Sequence, residues 1–325
     1  MKRDALITIG IVTYNRIEML RDAVNSVLNQ SFQDYCLIIG NDYPDKPVTL
    51  NSLGICDAKG RVKIINHTKN IGERNNMNNL LALSSTEWFI WLADDDLLHV
   101  DFLSIAFKII KKNDDAISVF SNYVSSPIVP KGFDNNVPKY EVLKYNSNTF
   151  VGEYIQRKIL LIGCYGIMKT RVIKEIGGIP LFGRTFGPYS DTILPVLLSK
   201  HGSIVYIDAP LQLLRTHEGS MSAASIDFNE YMEAESDFLC LLTKSLPKDK
   251  VGELVFYMSC WFADDEKSVI FRNVNNSIFE KLYLFVGHQV KVGYGRVGLV
   301  YWAPYTRYLF LTLAKSLIRK VVNRG

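Results

Sequence analysis

The segment 88–98, WFIWLADDDLL, constrains the fold of this chain more than any other, because an apolar run stops at three consecutive carboxylates. The apolar part is too short to span a membrane and predicts a buried central strand. Asp94, Asp95 and Asp96 then follow the carboxyl end of that strand, where open α/β sheets bind ligands. Adjacent carboxylates repel one another unless a cation screens them, and oxygen ligands suit Mg²⁺ or Mn²⁺ better than zinc. The alternative interpretation is a solvated turn that caps a helix starting near His99.

Strand-like and helix-like segments alternate on the amino-terminal side of this run. Segments 6–12, 36–40 and 62–65 are apolar and rich in β-branched residues, and apolar residues at helical spacing lie between them and the central strand. Such alternation predicts parallel strands joined by right-handed crossovers. We therefore expect an α/β fold with a Rossmann-like, mostly parallel sheet flanked by helices.

The composition is that of a globular protein. Its 325 residues, 48% hydrophobic and 22% charged, can build one large domain or slightly more. A net charge of +4 is too small to indicate nucleic-acid binding. The 5 cysteines are odd in number and widely spaced, which favours reduced thiols and a cytoplasmic location. We expect neither a secretory signal peptide nor a membrane span.

Four motifs occur in a fixed order along the first hundred residues: ITIGIVTYNR, SVLNQSFQDYCLIIGND, NIGERNNMN and WFIWLADDDLL. Together they resemble the family 2 glycosyltransferases of the GT-A fold, of the bacterial surface-polysaccharide type, and the similarity covers roughly residues 5–220. The resemblance implies a nucleotide-sugar donor, with a UDP-sugar favoured, and Mn²⁺ or Mg²⁺. It also implies a saccharide or lipid-linked saccharide acceptor.

The same resemblance implies a role for each matching residue of the motifs. The nucleoside would be held by Thr13, Tyr14, Arg16 and Asp42, the base or phosphates by Arg74, the ribose by Asp94 and the metal by Asp95. The choice between Asp94 and Asp96 as the companion of Asp95 stays open, because Ala93 stands where the metal motif often begins with an acid. The base preference also stays open, because Asp42 is followed by Tyr-Pro rather than Gly-Ser.

Two later segments supply the remaining candidates. Asp191 falls where the family has its catalytic base, and the alternative is that it caps a helix over 192–200. In the loop that follows the strand at 204–207, Arg215 can offer a fork to the pyrophosphate and His217 can reach the metal. The alternative for His217 is an exposed loop residue. We therefore place Asp95, Asp96 and His217 at the metal.

The composition changes near residue 225. The pattern predicts a catalytic domain over 1–224, with a nucleotide-sugar half at about 1–98 and an acceptor half at about 99–224, followed by a helical region over 225–325. Aromatic and basic residues mix over 297–324. That mixture predicts either an interfacial helix on the inner face of the cell membrane, or a helix packed on the catalytic domain or on a second subunit of a homo-oligomer.

The expected chemistry is sugar transfer from a nucleoside diphosphate to an acceptor hydroxyl, with Asp191 as base and inversion favoured by the resemblance. One rival class is a nucleotidyl or phosphoryl transferase on a similar sheet. It predicts a glycine-rich phosphate loop, and none follows the first strand. The other rival is a non-catalytic nucleotide-sugar-binding module, which the intact run from Asp94 to Asp96 argues against.

Overall fold

The computed structural model of the chain describes residues 5–56, 60–135, 137, 139–184, 187–217, 228–246, 249–273, 304–309 and 311. The chain forms two compact units. The first comprises Met1–Leu181 with Tyr189–Ala223, and the second comprises Phe182–Pro188 with Ala224–Gly325.

The first unit is built on one sheet, to which nine strands contribute in the described part of the chain. The order is β3-β2-β1-β4-β8-β6-β9-β5, and β7 pairs with β9. The strands are β1 Ile7–Thr13, β2 Tyr35–Asn41, β3 Val62–Asn66, β4 Trp88–Ala93, β5 Leu97–Leu98, β6 Ala116–Ser126, β7 Val142–Tyr145, β8 Ile167–Lys169 and β9 Ser203–Arg215.

Helices connect these strands and continue into the second unit. The first unit contains α1 Ile17–Leu28, α2 Leu50–Leu53, α3 Glu73–Leu83, α4 Phe102–Ile110, α5 Ser147–Ile155, α6 Thr170–Glu175 and α7 Leu194–Leu198. The second contains α8 Phe228–Ser245, α9 Val251–Asn273 and a helical segment at 304–309.

The predicted α/β fold class is confirmed, and the sheet has two regions of different character. Strands β3, β2, β1 and β4 are all parallel, as the alternating pattern predicts. Beyond β4 the sheet is mixed, since β8 runs antiparallel to both β4 and β6 whereas β6 and β9 are parallel. The complete burial of β1 and β2 explains why their sequences are continuously apolar.

Helix α3 lies unusually close to β2, and one glycine makes this approach possible. A Cβ at Gly40 would lie 2.1 Å from Oδ1 of Asn76. The Asn76 amide instead donates to the Gly40 carbonyl at 2.8 Å. On the other side of the helix, Trp91 of β4 donates its indole N–H to the Met77 carbonyl at 2.9 Å. These contacts fix the helix, and therefore its first residues, relative to the strand ends.

The register of the parallel strands brings their carboxyl ends together. Thr13 pairs with Asn41, and Val12 pairs with Ala93. The segments that follow β1, β2 and β4 therefore leave the same edge of the sheet, the expected ligand edge of an open α/β sheet.

Three local predictions differ from the structure. The acids after β4 cap no helix, because the short strand β5 follows them and α4 begins at Phe102 after Asp101. The helix after Asp191 begins at Leu194, so that residue lies in a preceding turn. The apolar segment 160–168 also predicts a strand, but the structure limits this strand to Ile167–Lys169, which pairs with β4 and β6 through residues far apart in sequence.

The second unit has an aromatic core in its described part. The ring of Phe238 in α8 lies 5.9 Å from Phe182 and 5.7 Å from Phe262 of α9. Tyr305 is fully buried, and the Tyr308 hydroxyl donates to the Cys260 carbonyl at 3.2 Å. The rest of the predicted 297–324 helix lies outside the described residues. Within the residues that the structure describes, no helix is long and apolar enough to cross a membrane.

Candidate active site

The first acid after β4 is tied to the loop that follows β1. Oδ2 of Asp94 accepts a hydrogen bond from the Thr13 hydroxyl at 2.6 Å and one from the Tyr14 N–H at 3.4 Å. Nη2 of Arg16 lies 3.0 Å from the other oxygen. The side chain of Asp94 is completely buried, so these two hydrogen bonds and the ion pair with Arg16 offset the cost of removing its charge from water.

Asp95 faces a guanidinium and an imidazole from different parts of the chain. Its Oδ2 accepts a hydrogen bond from Nη1 of Arg16 at 2.8 Å and lies 2.9 Å from Nε2 of His217. Among the residues that the structure describes, none donates a hydrogen bond to Oδ1 of Asp95. The structure therefore brings Asp95, Arg16 and His217 together, as the predicted site requires.

Asp96 is bound by the protein on both of its oxygens. The Tyr165 hydroxyl donates to Oδ2, and the N–H of Arg215 donates to Oδ1 at 2.8 Å. Tyr165 also accepts the Ala93 N–H at 3.2 Å, so one phenol holds both ends of the acidic turn. Asp96 is one of the two candidate companions of Asp95 at the metal. Both of its carboxylate oxygens already accept hydrogen bonds from the protein.

Burial makes the acidic turn less charged than its three carboxyl groups suggest. It raises the pKa of Asp94 to about 6, although Arg16 and Thr13 act in the opposite direction. It raises the pKa of Asp96 to about 7, with a further contribution from the negative charge of Asp95, while the Tyr165 hydrogen bond opposes the change. Such shifts are typical of sites that bind or move charge.

Arg215 clamps the acidic turn against α1. Its Nε donates to the Asp95 carbonyl, Nη1 lies 2.8 Å from Oδ2 of Asp22, and Nη2 donates to the Met19 carbonyl at 3.2 Å. In this conformation the guanidinium is directed at the helix. The predicted contact between Arg215 and a pyrophosphate stays a prediction.

The loop that carries Arg16 is held in an uncommon conformation. Asn15 has φ of 55°, in the left-handed region that is costly for most residues other than glycine. The next residue, Arg16, occupies the N-cap of α1 without a side-chain cap. This sharp change of direction lets Arg16 reach from the end of β1 to the acids after β4.

The end of β2 and the start of α3 form the second wall of the site. Oδ1 and Oδ2 of Asp42 accept the N–H groups of Ile71 and Gly72, both at 2.8 Å. Arg74 donates from Nε to the Ile179 carbonyl at 3.0 Å. A cavity of about 250 Å³ lies beside this wall, lined by residues that include Thr13, Arg16, Arg21, Asn41 and Lys46.

Asp191 lies in the turn before α7, on the segment that faces Gly163. A Cβ at Gly163 would stand 2.0 Å from the Asp191 carbonyl oxygen, so the two chain segments are in direct contact. Burial raises the pKa of the Asp191 carboxyl, while the N–H groups of Asp191 and Thr192 and the Thr192 hydroxyl act in the opposite direction. A carboxyl with a raised pKa is suited to accept a proton near neutral pH.

Glu73 joins the site without having been predicted. It is the first residue of α3, directly after Gly72, whose φ is 83°. Its side chain reaches solvent, but surrounding protein and the negative charges of Asp191 and Asp95 raise its pKa to about 7, with Arg16 acting in the opposite direction. Glu73 therefore lies within electrostatic reach of both the candidate base and the candidate metal ligand.

The family model described as Glycosyl transferase family 2 matches residues 8–176, which is more than half of the 325 residues. The chain belongs to glycosyl transferase family 2. The matched segment contains the loop after β1, Asp42, Arg74 and all three acids after β4.

Among the curated relatives, poly(ribitol-phosphate) beta-N-acetylglucosaminyltransferase TarP of Staphylococcus aureus is 32% identical over 145 residues, which are 42% of this chain and 44% of TarP. The matched part of this chain spans only 16% to 44% of the length of each of these curated relatives. The similarity to these family 2 proteins is therefore partial.

The solved structures that share the fold include two with a bound nucleotide sugar. Staphylococcus aureus TarS 1–349 in complex with UDP-GlcNAc has a TM-score of 0.60 and 14% identity, and the match covers 81% of this chain and 72% of TarS 1–349. The mannosyltransferase PcManGT from Pyrobaculum calidifontis, in complex with GDP-Man and Mn²⁺, has a TM-score of 0.55 and 12% identity. The match covers 97% of this chain and 88% of the PcManGT chain. At these identities the likeness shows the GT-A fold alone.

The donor set of this family 2 chain fits a hard divalent cation, provided that a ligand completes the coordination. Within the described residues, no group of three or more His, Cys, Asp and Glu side chains is arranged to hold a metal by itself. Asp95 supplies a carboxylate whose side chain is 12% exposed, and His217 lies beside it, whereas Asp96 is engaged by Tyr165. Mg²⁺ usually keeps substrate phosphates among its ligands, which matches one or two protein carboxylates.

Two residues of the site carry little signal in the sequence. Glu73 stands in the NIGERNN motif, where its position directly after Gly72 and at the start of a helical pattern was the available clue. Tyr165 lies in the segment 163–166, GCYG, and nothing in that segment indicates its contact with Asp96. That contact joins residues 69 positions apart, so sequence spacing cannot predict it.

Proposed function

We propose that this family 2 glycosyltransferase moves a sugar from a nucleoside-diphosphate donor, with a UDP-sugar favoured, to a hydroxyl of a saccharide or lipid-linked saccharide acceptor. One observation carries the proposal. The segment matched by the family model includes the acidic turn after β4, where Oδ2 of Asp95 lies 2.8 Å from Nη1 of Arg16 and 2.9 Å from Nε2 of His217. Support for the donor class comes from the TarS and PcManGT complexes, which contain UDP-GlcNAc and GDP-Man.

The nucleoside would lie along the loop after β1 and the loop after β2. Tyr14 is exposed, and its ring packs edge-on against Tyr43 at 5.1 Å, so the two aromatic residues border the surface beside the 250 Å³ cavity. Asp42, on the same side, fixes the backbone before α3. Arg74 would contact the base or phosphates from the same wall, where its Nε donates to the Ile179 carbonyl and its Nη1 to Oδ1 of Asn75.

The diphosphate leaving group requires positive charge. Mn²⁺ or Mg²⁺, held by Asp95 with His217, would neutralise the charge that develops on the leaving diphosphate. Arg16 contacts the Asp95 carboxylate, and the Arg215 guanidinium contacts the Asp95 carbonyl, so both would add positive charge near the diphosphate. Asp94 and Asp96 orient the turn that presents Asp95.

The acceptor hydroxyl would lose its proton to Asp191. In the reaction the bond between the sugar carbon and the diphosphate oxygen breaks, the bond to the acceptor oxygen forms, and the acceptor proton passes to the carboxylate. A base on the face opposite the leaving group gives direct displacement with inversion. The raised pKa of Asp191 favours uptake of this proton over that of an ordinary aspartate.

The last part of the proposal is a peripheral contact with a membrane. It depends on the basic and aromatic residues of 297–324, of which only 304–309 and 311 are described. A peripheral electrostatic contact with an anionic lipid surface would bring a lipid-linked acceptor to the enzyme.

The test is a donor screen with identification of the released nucleotide. UDP-, GDP- and dTDP-sugars are incubated with the full chain and Mn²⁺, with and without EDTA. We expect release of UDP from UDP-sugars, loss of the reaction in EDTA, and a slower reaction in Asp191→Asn. Release of UMP would indicate a nucleotidyl or phosphoryl transferase, and tight nucleotide binding without turnover of any donor would indicate a non-catalytic module.

A further inference from the structure

Arg16 contacts two carboxylates of the acidic turn at the same time. Nη1 donates to Oδ2 of Asp95 at 2.8 Å, and Nη2 lies 3.0 Å from Oδ1 of Asp94. The planar guanidinium suits such a bridge, because its N–H donors form a rigid fork. Its positive charge therefore already balances carboxylate charge that a divalent cation at Asp95 would use.

Arg16 has the most exposed side chain of the cluster that it forms with Asp94, Asp95 and His217. Asp94 is fully buried and held by the Thr13 hydroxyl, and only 12% of the Asp95 side chain is exposed. Arg16 has 25% of its side chain exposed and stands at the N-cap of α1, where it makes no capping hydrogen bond. A long and partly exposed side chain can change partners with less rearrangement than the buried carboxylates can.

The other cation at the turn has a different task. Arg215 directs its guanidinium to the Asp95 carbonyl, Asp22 and the Met19 carbonyl, so it holds the backbone of the turn. Only Arg16 and His217 contact the Asp95 carboxylate among the described residues. Of these, Arg16 carries a permanent charge, and a divalent cation bound to Asp95 would repel it.

We propose that Arg16 is an internal counterion that competes with the divalent cation for Asp95 and moves to the diphosphate when the donor binds. The diphosphate offers a new anionic partner to Arg16 and oxygen ligands to the cation. The cation would therefore bind weakly to the protein alone and strongly to the protein with nucleotide. This inference rests on the metal use stated under the proposed function, and it adds the residue that links metal binding to donor binding.

The coupling can be measured without turnover. Free Mn²⁺ is followed by electron paramagnetic resonance during titration of the full chain, in the absence and presence of saturating UDP. The variants are Arg16→Gln, which removes the charge, and Arg16→Lys, which keeps the charge but cannot bridge two carboxylates. Arg171→Gln is the matched control, because Arg171 is an exposed arginine paired with Glu175 on α6.

We expect Arg16→Gln to bind Mn²⁺ alone at least about tenfold more tightly than the unmodified chain, the scale of one lost charge-assisted hydrogen bond. Its Mn²⁺ affinity with UDP should change much less, so the enhancement by UDP should shrink by a similar factor. Arg16→Lys should fall between the two, and it serves alone if Arg16→Gln does not fold. Arg171→Gln should match the unmodified chain.

Three results would overturn the inference. The first is equal Mn²⁺ affinity of the Arg16 variants and the unmodified chain without UDP. The second is a gain of the same size with and without UDP, since this would reflect a general change of charge. The third is the absence of Mn²⁺ binding by the unmodified chain even with UDP, which would also remove the metal from the proposed function. In the first two cases the proposed function stands.

Discussion

At the scale of single residues, Asp95 is the group on which metal use depends. Its carboxylate lies at the junction of Arg16 and His217, and the neighbouring acids are engaged by other parts of the protein. Asp95→Ala should therefore abolish the Mn²⁺-dependent part of donor binding while leaving the far-ultraviolet circular dichroism spectrum intact. Isothermal titration with UDP, with and without Mn²⁺, measures this. Retention of Mn²⁺-dependent binding would assign the metal to other residues.

Asp191 should control the rate of transfer and its dependence on pH. A general base works in its ionised form, and burial raises the pKa of Asp191, so kcat/KM should fall as pH drops through a value above the ordinary aspartate range of about 4. Asp191→Asn should slow transfer at least about a hundredfold and remove this acid limb, with donor binding unchanged. Asp114→Asn, an exposed aspartate, is the control. A small effect of Asp191→Asn would mean that its role is structural.

Glu73 should make the protein less stable at high pH. Its pKa in the folded state is about 7, above the ordinary 4.5, so its contribution favours folding below pH 4.5 and is lost as pH rises through 7. Glu73→Gln should therefore gain stability relative to the unmodified chain between pH 5 and pH 8, by about 1 kcal/mol at most because the side chain reaches solvent. Urea unfolding at both pH values tests this, with the exposed Glu87→Gln as control. A difference that does not grow with pH would contradict the assignment.

At the scale of secondary-structure elements, the contact between α3 and β2 fixes the wall that carries Glu73 and Arg74. A Cβ at Gly40 would collide with Oδ1 of Asn76, so Gly40→Ala must displace the helix or break the amide's hydrogen bond to the Gly40 carbonyl. We expect a loss of about 1–3 kcal/mol in the free energy of unfolding. Gly152→Ala in α5 is the control, because its Cβ meets nothing within 4 Å and alanine favours a helix. Equal stability of the two variants would refute the packing argument.

The sequence predicts elements well where their signal is local. The helical spacing of Leu20, Ala23 and Val27 and the apolar runs of β1, β2 and β4 reflect burial on one face or on both, and these elements are confirmed. Strand β8 is only three residues long and exists because it pairs with β4 and β6, so its limits depend on residues distant in sequence. The extent of β9 likewise depends on pairing with β5, β6 and β7.

The residues of the candidate site also differ in whether a local sequence signal indicates them. Thr13, Arg16 and the three acids after β4 were predictable, because the carboxyl ends of parallel strands meet at one edge of the sheet. The contacts of Tyr165 and Arg215 with Asp96 join residues far apart in the chain, and no spacing rule indicates them. Glu73 lacked a signal for a different reason, since its importance arises from the charges that the fold gathers around it.

At the scale of the whole molecule, the question is whether the basic residues near the carboxyl end attract the protein to a membrane. Two of the aromatic residues in 297–324 face the protein, since Tyr305 is buried and Tyr308 donates to Cys260, whereas Arg307 is exposed. Any attraction to lipid should therefore be mainly electrostatic. Each basic residue close to an anionic surface contributes about 1 kcal/mol.

Liposome flotation with anionic and neutral lipid tests this attraction. The full chain should float with anionic liposomes at low salt and remain at the bottom in about 1 M salt, where the Debye length falls to about 3 Å. Replacing Lys315, Arg319 and Lys320 by glutamate should prevent flotation. The same change at Lys108, Lys111 and Lys112, which are exposed at the end of α4, alters the net charge equally and should leave flotation intact. If both triple variants behave alike, the basic residues near the carboxyl end do not form a membrane contact, and packing within the protein or on a second subunit explains them.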